Sequence, residues 1–283
     1  MMRGEHYIKP IESGYTRPHL IRCEDGQMYV VKLSSNPQGS MVLINEYISY
    51  RLALLLDLPV PQGEVILLDK EIISRNSELQ REYAQAGPHF GSLYIENAVN
   101  VTPDSDFSKA DNIDKAADII LFDYWLNNND RHRFHDASTN LLMTPSRISH
   151  LWMIDQANIL RGPGWNERSI LIHQPYISTY WGELYQKFVP FLDSKSPFEA
   201  ALQKFESLML LELRQAVAGL PVEWGFTDSQ DRAIVRYLHT RLALLREAIE
   251  AVRLHFPVWS KDFNNKDFSR NPVSRIKLQG GFS

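Results

Sequence analysis

Between Asp123 and Asp155 the chain carries polar residues whose types and order suit phosphoryl transfer. Asp130-Arg131-His132 follows the run Asn127-Asn128-Asn129, Asn140 leads Leu141-Leu142, and Asp155 closes Leu151-Trp152-Met153-Ile154. A transferring phosphoryl group asks for little covalent chemistry from a protein. Catalysis rests on positioning and charge neutralisation: Mg²⁺ on the phosphate oxygens, a lysine on the phosphates and a carboxylate beside the incoming hydroxyl. Mg²⁺ takes hard oxygen ligands and keeps several waters, so one Asp and one Asn are enough. Asp155 and Asn140 are therefore the candidate metal ligands, and Asp130 is the candidate catalytic aspartate, placed to accept or orient the hydroxyl proton. Taken singly, each has a plainer use, since an Asp after a strand caps a turn and an Asn-rich run makes a polar loop. Their order and the apolar runs beside them favour the chemistry.

These residues need elements to hold them. From Lys109 to Asn127 the apolar residues Ile113, Ala116, Ala117, Ile120, Leu121 and Tyr124 recur at helical spacing, which predicts a packed helix delivering the Asp130 loop from its C-terminal end. Leu141-Leu142 and Leu151–Ile154 read as short strands. Upstream, His19–Cys23 alternates like a strand, Glu24-Asp25-Gly26 is a hairpin signal, and Met28–Leu33 is the returning strand. Lys32 lies near its end, in an apolar setting where a cation rarely goes without a partner. Alone it reads equally as an edge-strand lysine whose amine reaches water. A predicted helix from Met41 to Leu56, with Gly39-Ser40 as its N-cap candidate, supplies Glu46, 46 − 32 = 14 positions on. A strand lysine paired with a glutamate of the following helix is how protein kinases hold nucleotide phosphates. The turn Ser13-Gly14-Tyr15-Thr16 would cover the phosphates with backbone N–H groups. Glu64–Leu68 and Ser92–Glu96 read as further strands, with Gly87-Pro88-His89-Phe90-Gly91 as a break between them. Adenine would lie against backbone near Glu96. The rest is mostly helical, including predicted helices from Ser196 to about Ala218 and from Thr227 to Pro257. From Ser260 onward the chain is polar and slightly basic, and reads as a loose tail.

Composition narrows the classes. The 283 residues are 44% hydrophobic, enough for a sizeable core. A net charge of −4 argues against general nucleic-acid binding, which needs a basic surface. One cysteine, Cys23, permits no intrachain disulfide and suits a reducing compartment. The longest apolar runs, such as Leu52–Leu56, are far shorter than the roughly 20 residues a bilayer-spanning helix needs. A cytoplasmic protein with no membrane partner is the expectation.

Taken together, Ser13–Leu20, Tyr29-Val30-Val31-Lys32-Leu33, Asn45-Glu46-Tyr47, Leu58–Pro61, Phe90-Gly91-Ser92, Asn129-Asp130-Arg131, Asn140-Leu141-Leu142 and Ile154-Asp155 resemble the HipA-like kinases, over residues 12 to about 160. The Asp-Arg-His form is also similar to the catalytic loop of lipid kinases. The resemblance implies an α+β, two-lobed protein-kinase-like fold: a small antiparallel-sheet N-lobe with one helix over residues 1–97, a larger, mostly helical C-lobe over 98–259, and a tail over 260–283. It implies ATP and Mg²⁺ as cofactors, Lys32 on phosphate supported by Glu46, Asp130 as catalytic aspartate, and Asn140 and Asp155 on the metal. The acceptor is a protein, with Ser or Thr hydroxyls expected, or a small molecule. Two departures stand out. The interval from Asp130 to Asn140 is 140 − 130 = 10 where kinase loops usually have five, so that residues Arg133–Ala137 must loop out or Asp136 must substitute. Gln156-Ala157 also replaces the Phe-Gly that follows the metal-binding Asp of protein kinases. The stretched interval keeps a nucleotide-binding pseudokinase in play. His132, His135 and Asp136 suggest a third reading, a metal-dependent hydrolase, which leaves Lys32 and Glu46 without a role.

Overall fold

The computed structural model describes residues 1–11, 15–134 and 139–261. Ser13, Gly14, His135, Asp136 and the tail beyond Lys261 lie outside the described residues. Among the described residues the strands are β1 (Met2–Pro10), β2 (His19–Cys23), β3 (Met28–Lys32), β4 (Gly63–Leu68), β5 (Gly87–Leu93), β6 (Val99–Asn100), β7 (Leu141–Met143) and β8 (Leu151–Met153). The α-helices are α1 (Met41–Leu55), α2 (Lys70–Arg75), α3 (Ser77–Arg81), α4 (Ala116–Leu126), α5 (Glu167–His173), α6 (Glu183–Gln186), α7 (Glu199–Glu206), α8 (Leu210–Val217), α9 (Asp228–Leu242), α10 (Leu245–Glu250) and α11 (Pro257–Ser260).

The first five strands form a closed barrel, in the order β1-β2-β3-β5-β4, rather than the simple antiparallel sheet expected. Its closing pair is parallel, with Met2 opposite Ile66 and Arg3 opposite Leu67. The reason the sequence hid this is that β1 buries only Gly4, so its nine residues show no period-2 apolar pattern and its place depends on the backbone ladder. Gly4 is needed for closeness: a Cβ there would sit 2.6 Å from Leu68 Cδ2. Likewise the presumed break at Gly87–Gly91 is the body of β5. A Cβ at Gly91 would meet Ile66 Cγ1 at 2.7 Å, so this glycine permits tight packing inside the barrel rather than ending a strand.

The expected hairpin is present as β2 and β3, with His19 opposite Val31 and Arg22 opposite Met28. Ser40 stands at the N-cap of α1, but its hydroxyl donates to Trp224 O at 3.0 Å instead of accepting from the helix. The predicted helix ahead of Asp130 is broken into 3₁₀ turns at Phe107–Lys109 and Ile113–Lys115 before α4 begins. All eleven residues of α4 are buried, apolar nearly all round, and the helix packs against α7, α9 and α10. The single helix read over Ser196–Ala218 is two, α7 and α8, separated at Ser207–Met209. The last long helix stops at Leu242 and resumes as α10 after Leu244. Its start does carry the expected cap: Thr227 and Gln230 close a reciprocal capping box. Among the described residues no helix is long and apolar enough to cross a membrane.

Strands β6, β7 and β8 form a second, antiparallel sheet. Asn140 immediately precedes β7 and Asp155 lies two residues beyond β8, so the hairpin register places both at one end. Ile154 N donates to Asn140 O at 3.1 Å, which extends the ladder to that end.

Candidate active site

Lys32, the last residue of β3, is buried with its amine between two carboxylates: it donates to Glu46 Oε1 and, at 2.7 Å, to Asp155 Oδ1. The three residues come from the barrel, from α1 and from the turn after β8. Burial pulls the lysine down, but Asp155 and Glu46 outweigh it and hold the amine above its ordinary range, fully charged. Burial pushes Glu46 up against the pull of Lys32, whereas Lys32 overcomes the same effect at Asp155 and holds that carboxyl below its usual range. One cation facing two carboxylates leaves an excess of negative charge, a setting that favours a further cation.

Helix α1 is itself held by the segment that follows Asp155. Asn45, fully buried beside Glu46, donates to Ala157 O at 2.7 Å and accepts from Trp165 Nε1 at 2.8 Å. A buried Asn in an apolar helix must find such partners, and this was the one local signal of the contact.

The Asp130 loop leaves α4 through Asn127, whose left-handed φ of 55° turns the chain out of the helix. Beneath the loop lies a buried network centred on Arg131. Its guanidinium donates to Asp123 Oδ1 at 2.6 Å, to Asn140 O at 3.1 Å and to Ile154 O at 3.0 Å. Asp123 also accepts from Tyr185 Oη at 2.6 Å and from Asn128 Nδ2 at 3.2 Å. Asp123 and Arg131 are both wholly inaccessible to solvent. The same guanidinium thus grips the carbonyls at both turns that present the metal-type residues. Those turns need gripping, because Asn140 and Asp155 sit at φ 53° and 52°. On the far side, His132 O accepts from Leu184 N at 3.2 Å, and its ring stacks on Tyr180.

Asp130 Oδ2 accepts from Asn140 Nδ2 at 2.8 Å and from Asn158 Nδ2 at 2.6 Å. An ionised carboxylate only accepts, so the NH₂ end of Asn140 faces Asp130 and its Oδ1 is turned away. The ten-residue interval therefore does not separate Asp130 from Asn140. Asn158, Asn128 and Arg131 were not singled out as site residues; nothing in their spacing marks them, and only the packing of the two loops reveals them.

Above Lys32 opens a cleft of about 250 Å³. Val30, Phe90, Leu142 and Met153 give it apolar walls, while Lys32, Glu46, Asn140 and Asp155 line its polar end. Ile11 and Pro18, which flank the Ser13–Arg17 turn, also line it. Of the turn residues, Thr16 is buried and Tyr15 is 89% exposed, and neither is among the lining residues; Ser13 and Gly14 are outside the described residues. Glu96 is exposed and does not line the cleft, whereas its neighbours Tyr94, Ile95 and Ala98 do. Among the described residues no three His, Cys, Asp or Glu side chains are grouped to hold a metal ion, and the hydrolase cluster rests on His135 and Asp136, which are not described.

A family model described as HipA-like kinase matches residues 5–251. The solved structure of the Helicobacter pylori proinflammatory kinase CtkA superimposes with a TM-score of 0.58 at 11% identity, covering 87% of this chain and 96% of that one. The golgi casein kinase gives 0.50 at 12% identity, covering 89% and 74%. At such identities the likeness speaks for the fold alone, which is protein-kinase-like. No curated protein sequence matches the chain.

Proposed function

We propose that this chain, which belongs to the HipA-like kinase family, transfers the γ-phosphoryl group of ATP to a hydroxyl acceptor, a Ser or Thr of a protein. The observation that carries this reading is Lys32 held between Glu46 and Asp155 at the polar end of an apolar cleft, the three residues coming from elements 14 and 123 positions apart. An apolar slot ending in convergent charged groups suits a nucleotide, with the base between the walls and the phosphates at Lys32. Residues 1–97 would form the lobe that holds the nucleotide and 98–259 the lobe that holds the catalytic loop.

The donor set fits Mg²⁺. Asp155 offers a carboxylate, Asn140 an amide oxygen turned away from Asp130, and the excess negative charge around Lys32 suits a divalent ion. When bound there, the metal would neutralise charge on the phosphate oxygens. Lys32 binds and orients the phosphates. Asp130 accepts the proton of the acceptor hydroxyl as its oxygen bonds to phosphorus and the bond to the leaving ADP breaks. Asn140 and Asn158 hold the Asp130 carboxylate in place for that step. The buried Cys23, its thiol pushed up to about 12 by burial, is inert and compatible with a cytoplasmic setting.

Radiolabelled ATP with Mg²⁺ tests the reading. Label is expected to reach the chain itself or proteins of an added lysate, and Asp130→Asn and Asp155→Asn each lower the rate by at least about 10²-fold. ATP bound tightly with no label transferred by the unaltered protein would instead favour the pseudokinase.

A further inference from the structure

We propose that the groove between α8 and α9 docks an acidic peptide segment of a partner protein. The groove measures about 720 Å³ and shares no lining residue with the nucleotide cleft. Its charged side chains are Arg214 from α8 and Asp231, Arg232 and Arg236 from α9, and His239 of α9 also lines it. Arg232, Arg236 and His239 follow at intervals of four and three, so they form one row along α9 about 10 Å long. All three arginines are exposed, and among the described residues none forms an ion pair.

Other exposed arginines are matched by nearby carboxylates, Arg3 by Asp69, Arg75 by Glu71, Arg81 by Glu78 and Arg246 by both Glu199 and Glu206, while among the described residues Arg22 and Arg168 stand singly; the groove instead gathers three without an ion pair. A chain of net charge −4 thus leaves three arginines uncompensated in one furrow, with Asp231 the one acid lining it. Such a patch attracts and orients an acidic partner. Arginine suits the role because its planar fork meets carboxylates two bonds at a time.

The lining also selects the class of polyanion. Single-stranded nucleic acid is held by aromatic side chains on which bases stack, and no aromatic residue lines the groove. Its apolar lining is Leu210, Ala218 and Val235, with Leu210 42% exposed. Aliphatic side chains between cations fit a peptide that alternates glutamates with leucines.

The site does not depend on phosphoryl transfer, so it is tested by binding without ATP. The probe is a fluorescein-labelled peptide of alternating Glu and Leu residues, and the control is the same peptide with Gln in place of Glu, both titrated with the full-length protein. The Glu peptide is expected to bind and to weaken about tenfold between 50 and 300 mM salt. Arg232→Ala/Arg236→Ala, two exposed helix positions where alanine leaves the fold intact, is expected to weaken it at least about tenfold further. Autophosphorylation by this variant stays at the level of the unaltered protein. Equal binding of the Gln peptide, unchanged binding by the double variant, or no binding of the Glu peptide overturns the proposal. So does a single-stranded RNA that binds through the same arginines where the peptide does not, or self-association of the chain that the double variant abolishes while the peptide leaves it untouched. A catalytically dead protein that still binds the peptide leaves this proposal standing and removes only the kinase reading.

Discussion

Replacing Arg131 by Met separates what the buried network does for stability from what it does for the active site. The substitution keeps the bulk of the side chain but leaves Asp123 with Tyr185 and Asn128 as its remaining donors. Asp123 and Arg131 are both fully inaccessible, so the carboxylate is left as an uncompensated buried charge. Removing one partner from such a pair costs roughly 3–5 kcal/mol. At about 2–4 °C per kcal/mol for a chain of this size, the melting temperature falls by about 6–20 °C. Two further bonds are lost, to Asn140 O and Ile154 O, and the left-handed residues beside them become free to relax, by roughly 1 kcal/mol each. Adding Asp123→Asn removes the orphaned charge while still giving Tyr185 an acceptor, and is expected to recover at least half of the lost stability. It cannot restore the grip on the two carbonyls. Phosphoryl transfer by the double variant therefore stays about 10²-fold low, the usual cost of misplacing reactive groups by an ångström. Thermal unfolding and single-turnover rates on both variants decide the matter. A loss under about 1 kcal/mol for Arg131→Met, or a double variant whose rate returns together with its stability, refutes the argument.

Three other outcomes follow from the same structure. Lys32→Met lowers turnover by about 10²-fold or more and weakens ATP binding; unchanged kinetics would take the lysine out of the mechanism. His89 is fully buried, accepts from Ser34 N at 2.9 Å through Nδ1 and donates to Gln85 O at 3.0 Å through Nε2, so only the neutral ring satisfies both, and burial lowers it to about 4. Its folded value lies below the unfolded 6.5, so the unfolded chain binds more protons between them. Stability is then present above pH 6.5 and lost, by roughly 3 kcal/mol, as pH falls towards 4; His89→Gln should flatten that part of a plot of melting temperature against pH. Gly182→Ala places a Cβ 2.7 Å from His132 O, a backbone atom of the catalytic loop, and should cost about 1–3 kcal/mol with a fall in transfer rate, seen by calorimetry and labelled-ATP assay on one preparation.

Much of this protein was legible from local pattern, and what was not has a common cause. The alternation around Glu24-Asp25-Gly26 marked β2 and β3, the apolar spacing after Met41 marked α1, and the apolar runs at Leu141 and Leu151 marked the hairpin that carries Asn140 and Asp155. Each of these signals is written within one element, because which side of a strand or helix meets the core shows in the residues of that element alone. The strand β1 escaped because Gly4 is its one buried residue and its backbone does the pairing. Gly91 of β5 looked like punctuation because what it admits, Ile66, lies on another strand.

The candidate site divides the same way. Residue types and order along the chain were enough to nominate Lys32, Glu46, Asp130, Asn140 and Asp155. That Lys32 meets Asp155 across 123 positions, that Asn140 reaches Asp130 despite the lengthened loop, and that Arg131 grips both turns were decided by the tertiary structure. Contacts of that range depend on how barrel, hairpin and helices settle against one another, and no short window of sequence carries the distance between two elements.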